Sequence, residues 1–257
     1  MKILIGTPCY DGTVHLIYMN SYLDLTELCD DNGIETALMT VEGSPVDIAR
    51  NQIAARIVND RSFTHLLFID SDMGWSVETM RTLLQNSDLH ILGVASPKKE
   101  IEFKHNVTGP VVPVEGREGI ATCDAVGTGI MLIRREVLDQ LAEKLPAYDS
   151  GGLCWPFFRH EQHGHRMISE DFNFCVLWTA LGGKVHAVVN GEVKHRGYYS
   201  FSYGMHEERG LYKEWSKNRP FSMRCQERHP TAKKWDDEPY QCRLASGHRG
   251  EHEFVKA

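Results

Sequence analysis

The sequence predicts an α/β fold in which a mostly parallel β-sheet is flanked by helices. In the first half of the chain, short apolar runs alternate with stretches of helical periodicity, an order typical of strand–helix–strand units. The run THLLFID is almost entirely apolar, as expected of a buried strand. With 257 residues, the chain is long enough to bury the core of one domain, or of one domain with a small appendage.

The elements of the first half are predicted in chain order. Apolar runs predict strands at residues 2–6, 34–41, 64–70 and 89–96, and the segments between them predict helices at 15–33, 44–60 and 76–86. Gly33 is expected to end the first helix. Ser44 is expected to cap the second helix, with Pro45 at its first position, where proline loses no helical hydrogen bond.

From about residue 100 the alternation loosens. The pattern then predicts a loop or hairpin at 102–119, a glycine-rich turn followed by a strand and a helix at 125–145, a histidine-rich loop and a helix at 155–183, and a helix near 205–218. Residues 1–220 are therefore expected to form the main domain. The polar residues 221–257 are expected to form a small module of their own.

Composition and charge exclude several classes of protein. A net charge of -7 gives no support to a broad basic surface for nucleic acid, although a small basic patch remains compatible with it. No signal-peptide core and no apolar run of the roughly 18 residues needed for a membrane span is found. The seven cysteines are scattered through core-like patterns, which favours a reducing compartment. We expect a cytoplasmic protein without a membrane partner.

Two carboxylates stand at the end of the third predicted strand. In HLLFIDSDMGW, Asp70 and Asp72 flank Ser71 directly after the apolar run. Like charges there repel each other and lose hydration unless a cation lies between them, and oxygen ligands of this kind suit Mg²⁺ or Mn²⁺. A strand-ending turn that uses Asp for local hydrogen bonds is the alternative. Because ligands in such sheets bind beyond the carboxyl ends of the strands, this loop and the TPCYDG loop should face one cleft.

Six motifs in fixed order resemble a known family. They are TPCYDG, IARN, LLFIDSDMGW, VGTGIMLIRR, SEDFNF and VKHRG, and they span about residues 1–200. The set resembles glycosyltransferases of the GT-A fold, and more narrowly the short stand-alone, family-2-like enzymes of bacteriophages and bacteria. The resemblance implies transfer of a sugar from a nucleotide-sugar donor to an acceptor hydroxyl, with a divalent metal on the diphosphate of the donor.

The resemblance also implies a metal site and a donor site. Asp70, Asp72 and His195 would hold Mn²⁺ or Mg²⁺, and the imidazole favours Mn²⁺. The donor site would be formed by Thr7, Pro8, Tyr10, Asp11, Arg50, Asp70, Ser71, Asp72 and Gly129. Arg50 would contact the nucleotide or its phosphates, with a surface arginine as the alternative. Tyr10 would stack on the base, and Thr7 and Pro8 would shape the turn. Trp75 and Trp155 could stack on sugar or base, or could lie in the core.

Two acidic residues of SEDFNF are the candidate catalytic residues. An acceptor hydroxyl is a poor nucleophile and gains from a general base. The resemblance implies that Asp171 is this base in an inverting enzyme, with Glu170 binding or orienting the acceptor. Ser169 is also a natural N-cap, and acidic residues in a first helical turn favour the helix dipole, so a structural role stays open. We interpret the nearby histidines 160, 163 and 165 as part of a solvated loop.

The C-terminal segment has the residues of a small zinc module. Cys225, Cys242, His248 and His252 follow the pattern C-x16-C-x5-H-x3-H, and His229 could replace one of them. Two thiolates and two imidazoles match tetrahedral Zn²⁺, which would explain how a segment with few apolar residues folds. A tail without metal is the alternative. The module could support acceptor recognition or simply the structure.

Two other functions remain open at this point. A nucleotidyltransferase shares the alternating fold and the acidic metal site, but it would release pyrophosphate. A non-catalytic protein could bind nucleic acid through the Cys/His segment, although the negative net charge counts against this. Donor sugar, nucleobase, stereochemistry and oligomeric state are not encoded in any motif. Modified DNA, a protein and a glycan are all candidate acceptors.

Overall fold

The computed structural model describes residues 1–99 and 104–197, together with the backbone of residues 200–203, 240–242 and 254–256. The chain divides into two compact units. The first comprises Met1–Lys99 and His105–Met205, and the second comprises Glu100–Lys104 and His206–Ala257. The predicted helix near 205–218 lies outside the described residues, so it stays a prediction.

Five helices belong to the described part of the first unit: α1 (Leu16–Asp31), α2 (Val46–Asn59), α3 (Val77–Gln85), α4 (Arg135–Ala142) and α5 (Glu170–Ala180). Its strands are β1 (Lys2–Cys9), β2 (Glu35–Glu42), β3 (His65–Ile69), β4 (Met73–Trp75), β5 (Ile91–Val94), β6 (Val107–Thr108), β7 (Val112–Pro113), β8 (Ile120–Cys123), β9 (Ala125–Val126), β10 (Ile130–Arg134), β11 (Tyr148–Asp149), β12 (Leu153–Cys154), β13 (Glu161–His163), β14 (Arg166–Ile168), β15 (Val185–Val188), β16 (Val193–Arg196) and β17 (Ser200–Tyr203). In the second unit, β18 (Tyr240–Cys242) pairs antiparallel with β19 (Phe254–Lys256).

The central sheet has eight strands in the order β2-β1-β3-β10-β5-β15-β8-β7. β1 runs parallel to β2 and β3, and β5 runs parallel to β15, whereas β10 and β8 are antiparallel to both of their neighbours. The predicted mostly parallel sheet flanked by helices is therefore confirmed, with two reversed strands. The connection from β5 to β10 contains the short strands β6 to β9 and no helix, and β10 pairs antiparallel with both β3 and β5.

β3 is an interior strand of the sheet and is covered on both of its faces. Leu66 and Phe68 of β3 pack in one apolar cluster with residues of α2, α4 and α5. Leu67 and Ile69 point to the opposite cluster, with residues of α1 and α3. A strand that is covered on both faces reads as a continuous apolar run, which explains THLLFID. The carboxyl end of β3 is consequently held from both sides.

The helix ends show where local signals succeeded and failed. Gly33 has the left-handed φ of +63° and follows the last turn of α1, where the amide of Ile34 donates to the carbonyl of Cys29 at 2.9 Å. The prediction for α2 was wrong by one residue. Pro45 is the N-cap rather than the first helical residue, since its ψ of 147° is extended, and no side chain caps this helix. Ser44 therefore does not cap α2.

Among the described residues, the helices are too short or too polar for any of them to span a membrane.

Candidate functional site

Three separate segments meet at one edge of the sheet. Because β1 and β3 are parallel neighbours, the loops that follow them start side by side. The amide of His15 donates to the carbonyl of Ser71 at 2.8 Å, and the amide of Asp70 donates to the carbonyl of Gly129 at 3.0 Å. The loop after β1, the Asp-Ser-Asp turn and the glycine-rich turn before β10 are thus in direct contact. This edge is where an open α/β sheet binds its ligand.

Asp72 lies between two cationic or potentially cationic side chains. Its Oδ2 contacts the ammonium of Lys99, and its Oδ1 lies 3.4 Å from Nε2 of His195. At that distance and alignment Oδ1 has no formed hydrogen bond, although it is buried. Burial raises the pKa of Asp72, but the neighbouring His195 and the ammonium of Lys99 outweigh it, so the pKa is lowered. Asp72 is therefore an ionised carboxylate with one buried oxygen unsatisfied.

The ring of His195 is oriented by the backbone. The strand β16 pairs with β4 so that His195 stands opposite Met73, directly after Asp72. Its Nδ1 lies 2.9 Å from the carbonyl of Pro97, which can only accept, so Nδ1 carries the hydrogen. In the neutral ring, Nε2 then presents a lone pair to the oxygen of Asp72. Two electron-rich atoms this close repel each other unless a proton or a cation lies between them. A backbone partner of this kind is what orients metal-binding histidines.

Two of the three predicted metal ligands are arranged in a way that fits a divalent metal, and the third is bonded to an arginine. Asp72 and His195 come together, with a buried unsatisfied oxygen and an oriented imidazole. Asp70 is instead bonded to Arg50, with 2.8 Å between its Oδ1 and a terminal nitrogen of the guanidinium. Across residues 1–99 and 104–197, the structure shows no group of three or more His, Cys, Asp or Glu side chains already arranged around a metal position. The predicted three-residue metal set thus stays a prediction.

Arg50 is a buried cation rather than a surface residue. It lies on α2, is 4% exposed, and contacts Oδ1 of Asp70 with one terminal nitrogen and Oε1 of Glu170 with the other. Burial lowers the pKa of the guanidinium, but the charges of Asp70 and Glu170 outweigh it and raise that pKa. The other oxygen of Glu170 lies 3.4 Å from Nε2 of His160. The surface alternative for Arg50 is wrong, because the side chain is enclosed between two carboxylates.

Asp171 is held at the start of α5 by one of its two oxygens. Oδ1 accepts from the hydroxyl of Ser169 and, at 2.7 Å, from the amide of Phe172. Ser169 is the N-cap residue as predicted, but its hydroxyl bonds to this carboxylate and caps no backbone amide. A Cβ added to Gly127 would lie 3.1 Å from Oδ2 and 3.0 Å from Nδ2 of Asn106, so the absence of a side chain allows the backbone to approach this oxygen closely. The turn before β10 therefore lies against the free side of Asp171.

Several predicted donor residues have mainly structural surroundings. β1 extends to Cys9, so Thr7 and Pro8 are strand residues opposite Thr40 and Val41, and the prediction that they shape the turn was wrong. Thr7 is fully buried, and its hydroxyl is 2.7 Å from that of Tyr18. The strand is longer than predicted because its pairing with β2 continues through Pro8 to Cys9.

The loop after β1 is turn-like, and one of its side chains is open to solvent. Asp11 accepts from the amide of Thr13 at 3.1 Å and from its hydroxyl at 2.8 Å, which is the turn alternative for this residue. Tyr10 is 73% exposed and free to stack on a planar ligand. Trp75 and Trp155 are 7% and 8% exposed and pack in the two core clusters, the second of their alternatives.

Three residues of this region were missed by the sequence reasoning. Lys99 follows β5, so the rule that sites form beyond strand ends could have indicated it. His160 was interpreted as solvated, but it reaches Glu170. Asn51, next to Arg50, is 4% exposed and bonds the backbone of Phe158 through both of its side-chain groups, at 2.9 and 2.8 Å. No local signal distinguishes such an asparagine from one on a helix surface.

The predicted zinc ligands cannot be placed in the same way. Cys225, His229, His248 and His252 lie outside the described residues, and Cys242 is described only as a backbone position in β18.

Comparisons with known proteins bear on the fold. No protein-family model and no curated protein matches the chain. Among solved structures, it is similar to A197 from STIV, with a TM-score of 0.51 and 17% identity over 80% of this chain and 91% of that chain. This likeness shows a shared fold.

The chain is also similar, at lower TM-scores, to two other solved structures. One is a Drosophila β1,4-galactosyltransferase 7 mutant in complex with manganese, UDP-Gal and xylobiose, with a TM-score of 0.43 and 15% identity over 95% of this chain and 86% of that chain. The other is GalNAc-T7 with UDP, GalNAc and Mn²⁺, with a TM-score of 0.43 and 14% identity over 78% of this chain and 43% of that chain.

Proposed function

We propose that the protein is a glycosyltransferase that transfers a sugar from a nucleotide-sugar donor and depends on a divalent metal, with Mn²⁺ preferred to Mg²⁺. The observation that carries this proposal is the pair formed by Asp72 and His195 at the carboxyl end of β3. An ionised carboxylate with an unsatisfied buried oxygen faces an imidazole nitrogen that the backbone of Pro97 has oriented. Nitrogen and carboxylate ligands together suit Mn²⁺. The six ordered motifs of the sequence support the same class.

On the donor side, positively charged groups would stabilise the negative charge that develops on the leaving diphosphate. The bound metal would supply electrostatic stabilisation of the leaving diphosphate. Lys99 adds a second positive charge at Asp72, fixed before any charge develops. Tyr10, exposed at the end of β1, is placed to stack on the nucleobase. Asp72 and His195 are therefore the proposed metal ligands, and Asp70 shapes their loop.

On the acceptor side, Asp171 is the proposed general base. Its Oδ1 is fixed by Ser169 and by the amide of Phe172, and its Oδ2 lies close to the backbone of Gly127. The base takes the proton of the acceptor hydroxyl at Oδ2 as the sugar is transferred. Glu170 has one oxygen bonded to Arg50 and the other 3.4 Å from Nε2 of His160, so it orients the site rather than binding the acceptor. This arrangement corresponds to an inverting transferase.

Product analysis tests the proposed reaction. The full chain is incubated with UDP-, GDP-, CMP- and dTDP-sugars and Mn²⁺, and released nucleotide and pyrophosphate are separated by chromatography. We expect nucleotide release for one donor class, and a loss of about 10²–10⁴-fold in Asp171→Asn with donor binding retained. Release of pyrophosphate would assign a nucleotidyltransferase instead. No release with any donor would contradict the proposal.

The C-terminal segment is proposed to bind structural Zn²⁺ through Cys225, Cys242, His248 and His252. The spacing of these residues supports this role. Elemental analysis of the purified full chain should find one zinc per chain, and Cys242→Ser should remove it. A chain that folds without zinc would contradict the proposal without affecting the transferase.

A further inference from the structure

One buried side chain contacts both halves of the proposed site. Arg50 bonds Asp70, two residues before the proposed metal ligand Asp72, and it also bonds Glu170, directly before the proposed base Asp171. Of the three charges, Arg50 and Glu170 are almost fully enclosed, with side-chain exposures of 5% and 10%. The electrostatic attraction between a cation in this position and its carboxylates is strong, because little water screens it.

The bridge requires the shape of a guanidinium. Arginine presents its donors in a rigid planar fork, so the two terminal nitrogens of Arg50 reach two different carboxylates at once. The ammonium of a lysine is a single point charge and would have to choose one of them. Each terminal nitrogen uses one of its two N–H groups on a carboxylate, and because only 5% of the side chain is exposed, little of the guanidinium is accessible to a phosphate of the donor.

The helix that carries Arg50 is itself anchored to both sides. Asn51, the next residue of α2, bonds the amide and the carbonyl of Phe158. The ring of Phe158 stacks on Phe174 of α5 with centroids 4.5 Å apart, and it meets Phe68 of β3 edge-on at 5.2 Å. The end of β3 and the start of α5 are therefore both attached to the same helix, α2. Arg50 provides the ionic contacts and Phe158 provides the apolar contacts.

We propose that Arg50 is a positioning residue that fixes the loop of the metal ligand Asp72 relative to the base Asp171, and that it does not bind the nucleotide. This inference rests on the proposed function. It replaces the sequence-based expectation that Arg50 contacts the donor. Reactions that need two groups at a fixed separation are sensitive to small displacements, and misplacement by about 1 Å can cost 10²-fold in rate. The bond to Arg50 thus acts on the chemical step and not on donor affinity.

The test is the charge-conserving variant Arg50→Lys. Its matched control is Arg56→Lys on the same helix, where an exposed arginine pairs only with Asp60 across one helical turn. We expect Arg50→Lys to lower kcat for nucleotide release by about 10–100-fold and, at saturating Mn²⁺, to leave donor Kd within about twofold. We also expect Mn²⁺ to bind about tenfold more weakly, because the loop of Asp72 is displaced while the charge is unchanged. Arg56→Lys should change none of the three quantities.

Other outcomes overturn the inference. A tenfold rise in donor Kd with kcat retained would show that Arg50 binds the nucleotide. Unchanged kcat and unchanged Mn²⁺ affinity would show that the bridge has no role in positioning. Should Arg50→Lys fail to fold, Glu170→Gln removes the same bridge at its other end, and it must reduce kcat without raising donor Kd. If the wild type neither binds Mn²⁺ nor releases nucleotide, the proposed function fails and this inference fails with it.

Discussion

Three carboxylates at the carboxyl edge of the sheet are matched by opposite charges. Asp70 and Glu170 pair with Arg50, and Asp72 pairs with Lys99. Matching of this kind allows several carboxylates to remain ionised in a partly buried site. It also means that a metal must compete with a resident ammonium group at Asp72.

Removal of this ammonium group should therefore favour the metal. In Lys99→Met, Asp72 loses the cation on Oδ2, and we expect Mn²⁺ to bind roughly tenfold more tightly, because a like charge near the metal position is gone. A titration in which the concentration of free Mn²⁺ is measured gives the change in Kd for this ion. Lys144→Met, at an exposed position, serves as the control. Equal or weaker Mn²⁺ binding by Lys99→Met would contradict the competition.

At this scale the sequence identified charged residues but not their pairings. Asp70, Asp72, Asp171 and His195 were identified by motif and by position at strand or helix ends. The structure sets Asp72 beside His195, and Arg50 joins Asp70 to Glu170, the neighbour of Asp171. The partners of Arg50 could not be predicted, since Glu170 is 120 residues away along the chain. Local patterns do not specify which distant side chains meet.

Among the elements, α2 links the sheet to the segment that precedes α5. Asn51 makes this link by bonding two backbone groups of Phe158, a residue that is fully buried. A helix can hold a loop in this way only if the amide side chain has no water to compete with it. The stability of the site should therefore depend on Asn51 more than on other polar residues of α2.

Truncation of this side chain should be costly. In Asn51→Ala, the amide and the carbonyl of Phe158 lose their partners in the interior, and we expect the free energy of unfolding to fall by about 2–4 kcal/mol. Urea denaturation measures the loss. Asn59→Ala, on the same helix, removes one bond to the carbonyl of Leu153 at an exposed site and should cost less than about 1 kcal/mol. Similar losses in the two variants would show that the link to Phe158 is not specific.

The element predictions succeeded where hydrophobic periodicity was strong. Strands β1, β2, β3 and β5 and helices α1 to α3 lie where apolar runs and helical patterns indicated them. Boundaries were less accurate, because β1 continues through pairing with β2 and α2 begins one residue after Pro45. The segment 102–119, expected to be a loop or hairpin, contains β7, which pairs with β8 directly after the segment. The position of this pair at the end of the central sheet depends on contacts with β15, which no local pattern encodes.

For the molecule as a whole, two histidines are expected to lower the free energy of unfolding at acidic pH. Burial lowers the pKa of His65, which is also close to Arg134, and burial likewise lowers the pKa of His186, close to Lys184 and Arg117. A histidine whose folded pKa lies below its unfolded value of about 6.5 binds protons more readily in the unfolded chain. Its contribution is therefore present above about pH 6.5 and lost as the pH falls through that value.

We accordingly expect the free energy of unfolding to decrease as the pH falls from about 7.5 to about 5.5. Denaturant unfolding at several pH values measures this slope. His186→Gln, which cannot be protonated, should reduce the slope even if it lowers stability overall. A free energy of unfolding that rises toward pH 5.5, or a slope unaffected by His186→Gln, would contradict the assignment.

The sheet order of the whole molecule was beyond sequence reasoning, but its class was not. Alternating patterns indicated parallel strands with helices between them, and the structure has them. The reversal of β10 and β8 is seen only in their pairing with β3, β5 and β15, strands that are distant along the chain.

The most direct test of the account is thermal unfolding of the wild type and Asp72→Asn with UDP-, GDP-, CMP- and dTDP-sugars, each with and without Mn²⁺. A ligand at about 100 times its Kd stabilises the folded state by about 2.7 kcal/mol, which gives a clear rise in Tm. We predict a rise for one nucleotide class that requires Mn²⁺, is lost in Asp72→Asn and is kept in the exposed control Asp24→Asn. No rise with any donor, or a rise that persists in Asp72→Asn, would contradict a metal-dependent donor site at the end of β3.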